Sequence, residues 1–312
     1  MVFVALKIFT FLLKVKTLDY IPPHPFNLFD TMKNIESLRQ VLIEIDRVSN
    51  DEWMSSLSDR KRAELAFHDE HRDRAVTDTL DQDTYEKLYG NRKYYSATQD
   101  SKNYVNSWID REANGRVFLD YACGNGFNAI RAAKAGAELA VGIDISAVSV
   151  QNSRSDAAAA GVESGTVFLQ ADAEDTKLPD NCIDRIVCSG MLHHLDLSHA
   201  FPELQRILRP GGKILALEAL DYNPAIKLYR HLTPGMRTEW EKSHILSLKD
   251  LAFAKRFFQI GGVHYWHISS ILAPHVGPLA ESLRRLDRVL TKIPGIRLMA
   301  WIFTFELIKR TS

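Results

Sequence analysis

Beyond Asn114-Gly115 the chain alternates two hydropathy patterns. Short apolar runs, "RVFLDYA" (116–122), "LAVGIDIS" (139–146), "TVFLQAD" (166–172), "DRIVCSGM" (184–191) and "KILALEAL" (213–220), read as five strands. Interleaved with them are "FNAIRAAKAG", "AVSVQNSRSDAAAAG" and "SHAFPELQRILRPGG", which carry helical spacing. Ser146 is placed to cap the second of these, and Gly136, Gly161 and Pro210-Gly211-Gly212 close the three in turn. The strands are apolar at consecutive positions, not alternate ones. That pattern predicts a parallel sheet covered by helices on both faces, an α/β fold.

The flanks read differently. Residues 33–112 are polar and charged, with helical spacing in "IESLRQVLIEIDRV" and "TYEKLYG", and predict a helical cap; 113–312 is the sheet domain. Its later part adds a helix, "SLKDLAFAKRFFQ", a strand, "GGVHYWHIS", and a second helix, "PLAESLRRLDRVLTKI". In that helix Leu279, Leu283, Leu286 and Leu290 are assigned to one face, with Arg284, Arg285 and Arg288 elsewhere. A helix laid on the sheet is expected, with contact to a membrane surface as the other reading. "RLMAWIFTFELIKR" is too short in its apolar part to span a bilayer and is read as a buried last strand. Residues 1–32 are apolar but interrupted by Lys7, and three readings stay open: a membrane-surface segment, a packed helix, or translation assigned upstream of a start at Met32.

The chemistry centres on "DYACGNGF" (120–127), the first turn from strand to helix. Open parallel sheets bind ligands beyond the carboxyl ends of their strands, and glycines there admit a ligand close to backbone. The turn has no lysine and no Gly-Lys-Ser/Thr ending, so it is not a P-loop, although "GNGFNA" with Asp144 imitates a dinucleotide-binding fingerprint. Asp144 ends the second strand, placed to accept ribose hydroxyls; Asp172 ends the third, where an adenine amine would lie. Asp120, Asp144 and Asp172 are thus expected along one rim. Such a rim suits an adenosine with a cation or amino acid at its far end and repels pyrophosphate.

"LDYACGNGFNAI", "VGIDIS", "FLQADAEDTKLPDNCIDRIVCSGMLHHL" and "LQRILRPGGKILALEAL" together resemble the class I S-adenosylmethionine-dependent methyltransferases, the type 11 group above all, over about 116–220. Ala122 departs from the glycine that often opens the family's loop. The resemblance implies a Rossmann-like seven-stranded mixed sheet, last strand antiparallel, with helices on both faces and an N-terminal helical extension. It makes 221–247 and 271–296 lid insertions. It also implies S-adenosylmethionine as cofactor: Asp120 at the rim, backbone of Tyr121, Ala122 and Gly124 on the methionine moiety, Asp144 on the ribose, Ile145 by the adenine, Asp172 and Ala173 at its edge, and Ser189 bordering the sulfonium.

Composition narrows the partners. Lysine plus arginine and aspartate plus glutamate are 39 each, so no electrostatic footprint for nucleic acid exists. Cys123, Cys182 and Cys188 lack metal-ligand spacing, no metal site is expected, and reduced thiols suit a cytoplasmic protein with membrane association left open. His193 is the candidate catalytic base, against a structural histidine at the strand top. Tyr94 or Tyr95 is a candidate for closing the cofactor pocket, against simple packing. Arg230, His231, Arg237 and His244 are candidate contacts to an acceptor, against a solvated face. The reading is O-methylation of a small or carrier-linked acceptor such as a glycan, polyketide or lipid precursor. An NAD(P)-dependent oxidoreductase and a non-catalytic S-adenosylmethionine-binding protein are the alternatives.

Overall fold

A computed structural model describes residues 35–48, 50–74, 94, 96–233 and 236–311. The segment 1–32, the "TYEKLYG" helix and Tyr95 lie outside the described residues. Seven strands make one sheet: β1 (Val117–Tyr121), β2 (Leu139–Asp144), β3 (Thr166–Gln170), β4 (Ile183–Ser189), β5 (Leu208–Ala219), β6 (Gln259–Trp266) and β7 (Ile302–Ile308). Their order is β3-β2-β1-β4-β5-β7-β6. The first five are parallel, and β7 runs antiparallel to β5 and β6. The sheet is the mixed one expected. Strand β5 begins at Leu208, before the expected Lys213, so Pro210-Gly211-Gly212 lies inside it, opposite a register shift between Ile183 and Arg185.

The helices are α1 (Ile35–Asp46), α2 (Asn50–Ser56), α3 (Asp59–Arg72), α4 (Gln99–Glu112), α5 (Phe127–Lys134), α6 (Ala147–Ala159), α7 (Leu197–Ile207), α8 (Pro224–Leu232), α9 (Glu239–Ser243), α10 (Leu248–Ala254) and α11 (Ala280–Leu290). Every residue of β1 and β2 is buried. Neighbouring positions serve opposite faces. Phe118, Ala140 and Phe168 meet Trp108, Ala129 and Val150 from α4, α5 and α6. Leu119, Val141 and Ile186 meet Leu42 and Phe201 from α1 and α7. With both faces dry, the central strands carry apolar side chains at almost every position, which is why they read as unbroken runs. Trp108 Nε1 donates to Glu306 Oε1 at 2.7 Å, tying α4 to β7.

The helix α11 departs from expectation. It packs against the 3-10 turn Ser270–His275, not across the sheet. The expected leucine stripe divides: Leu283 and Leu290 are half-buried, whereas Leu286, and Leu279 just before the helix, face solvent. The cause is Asp287, which is buried and accepts hydrogen bonds from the amides of Ile268, Ser269 and Ser270. That carboxylate sets the helix's rotation and turns half of the apolar stripe outward.

Candidate active site

The turn after β1 bends through left-handed backbone at Ala122 (φ 54°), Gly124 (φ 55°) and Gly126 (φ 72°). At Gly126 a Cβ would lie 2.6 Å from the Phe168 ring, so only glycine fits without displacing the core. Asp120 does not face the ligand rim. It is fully buried beneath the turn and accepts from Asn128 N and Nδ2 and from Ala129 N, at 3.1, 3.1 and 3.2 Å. Burial lifts its carboxyl to about 7, with those hydrogen bonds opposing and Asp144 adding to the rise. Its position at the start of α5 makes it a helix anchor. Tyr121 is also enclosed, its hydroxyl donating to the Ala173 carbonyl from behind the loop. Cys123 is buried, and burial raises its thiol far above the usual range, which suits packing.

Ala122, Asp144, Ile145, Asp172, Ala173 and Ser189 come together on one cavity at the carboxyl ends of the strands. Asp144 accepts from Gly124 N at 2.7 Å and Ser146 N at 3.0 Å. It also accepts from Arg72 Nη1 at 3.1 Å. Lys61 Nζ donates to Asp172 Oδ2 at 2.5 Å and pairs with Glu174 at 3.0 Å; Arg60 pairs with Glu174 at 2.5 Å. Three cations of α3 therefore sit on the acids of the rim. Sequence reasoning missed them, although Lys61, Glu64, His68 and Arg72 recur at three- and four-residue spacing and so mark a polar face. The cavity left is about 90 Å³. Ligand sites commonly hold about 300 Å³ or more, so with these side chains in place the cavity is smaller than an adenosyl donor needs. The acids fit such a donor: ribose hydroxyls and an adenine amine donate hydrogen bonds as Arg72 and Lys61 do now.

A second cavity, of about 510 Å³, shares His68, Gly190 and His194 with the first. Phe67, Ile226, Tyr229 and Ile271 give it apolar and aromatic walls, and Tyr94, Arg230 and Arg237 also line it. His231 is absent from the lining, and His244 instead stacks on Trp240 at 3.6 Å. Among the described residues, Tyr94 thus belongs to this second cavity and not to the first.

His193 lies on the second cavity between two acids. Its Nδ1 donates to Glu218 Oε2 at 2.7 Å, and its Nε2 is 3.5 Å from Glu241 Oε1. Glu218 is wholly buried on β5 and also accepts from the amides of Met191 and Leu192 at 2.8 and 2.7 Å. Burial alone would lower the His193 pKa, but Glu218 and then Glu241 outweigh it and lift it to about 9. Burial would raise Glu241, yet the hydrogen bond from His193 and the nearby His194, His193 and Arg230 hold it at about 2. His194 has a different partner. Its Nδ1 meets Glu64 Oε2 at 2.9 Å, while Glu64 Oε1 accepts from Thr238 Oγ1 at 2.5 Å, joining α3, the end of β4 and the start of α9. His68, 3.7 Å from Glu64, is pushed well below 6.5 by burial and then by Arg72 and the other histidines. Two overlapping groups, Glu64-His68-His194 and His193-His194-Glu241, hold ligand atoms within 4.8 Å of one another, so the spacing alone would admit a metal ion. The acid in "KILALEAL" was the one sequence signal for Glu218: a carboxylate inside an apolar strand requires a buried partner.

A family model described as a methyltransferase domain matches residues 119–216. The chain is 39% identical over 101 residues to the 27-O-demethylrifamycin SV methyltransferase of Amycolatopsis mediterranei (strain S699), covering 32% of this chain and 37% of that protein. It is 36% identical over 140 residues to the ribosomal protein L11 methyltransferase of Pseudomonas aeruginosa (strain LESB58), covering 42% and 45%. The chain thus spans less than half the length of these relatives. Among solved structures, the geranyl diphosphate C-methyltransferase from Streptomyces coelicolor A3(2) superposes with a TM-score of 0.54 at 13% identity, over 82% of this chain and 99% of that one, a likeness of fold. The matched segment takes in the glycine loop, Asp144, Asp172 and His193, and leaves out α3, Glu218 and Glu241.

Proposed function

We propose, from the premise that residues 119–216 are a class I S-adenosylmethionine-dependent methyltransferase domain, that the chain methylates a hydroxyl of a small or carrier-linked acceptor, such as a glycan, polyketide or lipid precursor. The methyltransferase match leaves the oxidoreductase alternative without support. The observation that carries the hydroxyl reading is the His193–Glu218 pair on the larger cavity, beside its junction with the smaller one.

In this reading the backbone of Tyr121, Ala122 and Gly124 receives the methionine moiety, Asp144 the ribose, Ile145, Asp172 and Ala173 the adenine, and Ser189 borders the reacting end; Ala122 and the last five line the smaller cavity, and Gly124 N bonds Asp144. When bound, the sulfonium donor supplies an electrophilic methyl group and leaves as a neutral thioether. The chain's own share is to align the acceptor, keep water out and take one proton. Glu218 fixes the His193 ring through Nδ1, so Nε2 is the nitrogen that faces an acceptor hydroxyl. With its pKa near 9, His193 is cationic at pH 7 in this structure, and the competent base is the neutral minority. An acceptor hydroxyl that takes the place of Glu241 beside Nε2 removes one acid and favours that neutral form.

The test is transfer of labelled methyl from S-adenosylmethionine to hydroxyl-bearing acceptors. His193→Gln should lower kcat by about 10²- to 10⁴-fold with S-adenosylhomocysteine affinity unchanged. The wild-type kcat/KM should climb toward pH 9, and kcat should level off at a lower pH. Transfer to amines alone, or a pH-independent rate, would refute the hydroxyl assignment. Donor binding without transfer to any acceptor would favour the non-catalytic alternative.

A further inference from the structure

We propose that the outward face of α11, continued to Ile296, is a docking surface for an anionic lipid bilayer. The face is apolar where a helix on a soluble surface is normally polar. Leu279, Leu286, Val289 and Ile293 are 57, 46, 59 and 39% exposed. Their spacing of seven, three and four residues puts them on one stripe along the helix and its exit. The stripe is fixed in place, because Asp287, buried on the adjoining side of the helix, accepts three backbone amides and holds the rotation.

Charge decides the occupant. Residues 280–297 hold five cations, Arg284, Arg285, Arg288, Lys292 and Arg297, and two acids, Glu281 and Asp287. Asp287 is consumed inside, and Glu281 is engaged by Arg284 and Arg285. An apolar stripe flanked by arginine and lysine matches an interface of acyl chains and anionic headgroups. A second copy pressed on the same stripe would bring like charges together, which disfavours self-association. The 3-10 turn that packs on α11 carries Leu272, which is 55% exposed and also lines the larger cavity. The docking face therefore adjoins a turn that also lines the larger cavity. In the sequence, residues 1–16 repeat the chemistry, with Lys7, Lys14 and Lys16 as their charged side chains among apolar residues.

The experiment is co-sedimentation of the full chain with vesicles of phosphatidylcholine alone and of phosphatidylcholine containing phosphatidylglycerol. Binding should require phosphatidylglycerol and weaken with added salt. The exposed pair Leu286→Ser/Val289→Ser should abolish it. Arg285→Gln, Arg288→Gln and Lys292→Gln should each weaken it about fivefold. All variants should bind S-adenosylhomocysteine as the wild type does, which separates failed docking from a misfolded chain or a mistaken donor site. Indifference of the wild type to phosphatidylglycerol would overturn the proposal. So would undiminished binding of the leucine–valine variant, which would assign adhesion to another segment. Sedimentation velocity showing a wild-type dimer that the same variant dissolves would give the face to a second copy instead.

Discussion

Single residues carry opposite electrostatic loads in this protein. His267 is buried at positive φ (63°), with Nδ1 3.1 Å from Ser270 Oγ and Nε2 2.9 Å from Ser101 Oγ. Burial lowers its pKa to about 4, and the modest pull of Asp287 does not restore it. The folded state therefore prefers the neutral ring. An unfolded histidine titrates near 6.5, so this contribution is complete above that pH and fades as pH falls toward 4. The loss amounts to about 3 kcal/mol. Denaturant titrations of wild type and His267→Gln should show it: the wild type loses its advantage over the variant between pH 6.5 and 4. A constant difference across that window would mean the ring is not held neutral. His193 carries the reverse load, because its pKa is raised and its charge is stabilised by Glu218 and Glu241.

Among elements, α3 supplies the cations that sit on the acids of the proposed donor site. Asp144 and Lys61 should respond in opposite directions when changed. Asp144→Asn should weaken S-adenosylhomocysteine binding by about 1–3 kcal/mol, since a charged acceptor of ribose hydrogen bonds is lost. Lys61→Gln removes a competitor from Asp172 and Glu174, and should tighten binding by up to about tenfold by raising the open fraction. Calorimetric titration of both variants measures this; weaker binding by Lys61→Gln would recast α3 as part of the donor's own grip.

The same comparison marks what could be read in the sequence. Strands β1 to β5 were legible because burial on both faces leaves one apolar signature, and the meeting of Asp144 and Asp172 on one cavity was legible because both close parallel strands at the same edge of the sheet. Asp120 was misplaced by that same logic, since its direction depends on the amides at the start of α5. The cations of α3 were hidden because their partners lie 72 to 114 residues away. The exposure of Leu286 on α11 and of Leu279 just before it went unseen because Asp287, a third party, sets the helix's rotation.

At the scale of the whole molecule, the two cavities are not independent compartments. Glu64 on α3 bonds both His194 after β4 and Thr238 at the head of α9, so a wall of the smaller cavity is also tied to the helix that brings Glu241 to the larger one. If α3 swings aside to admit or release the proposed donor, that tie breaks and the enclosure of the larger cavity loosens. Turnover would then follow a compulsory sequence: donor first on, spent donor last off. Initial-rate measurements should find S-adenosylhomocysteine competitive against S-adenosylmethionine but noncompetitive against the acceptor, and a random-order pattern would show that the two chambers open separately. A single glutamate would thus act as the timekeeper of the cycle, without ever touching the group that is passed.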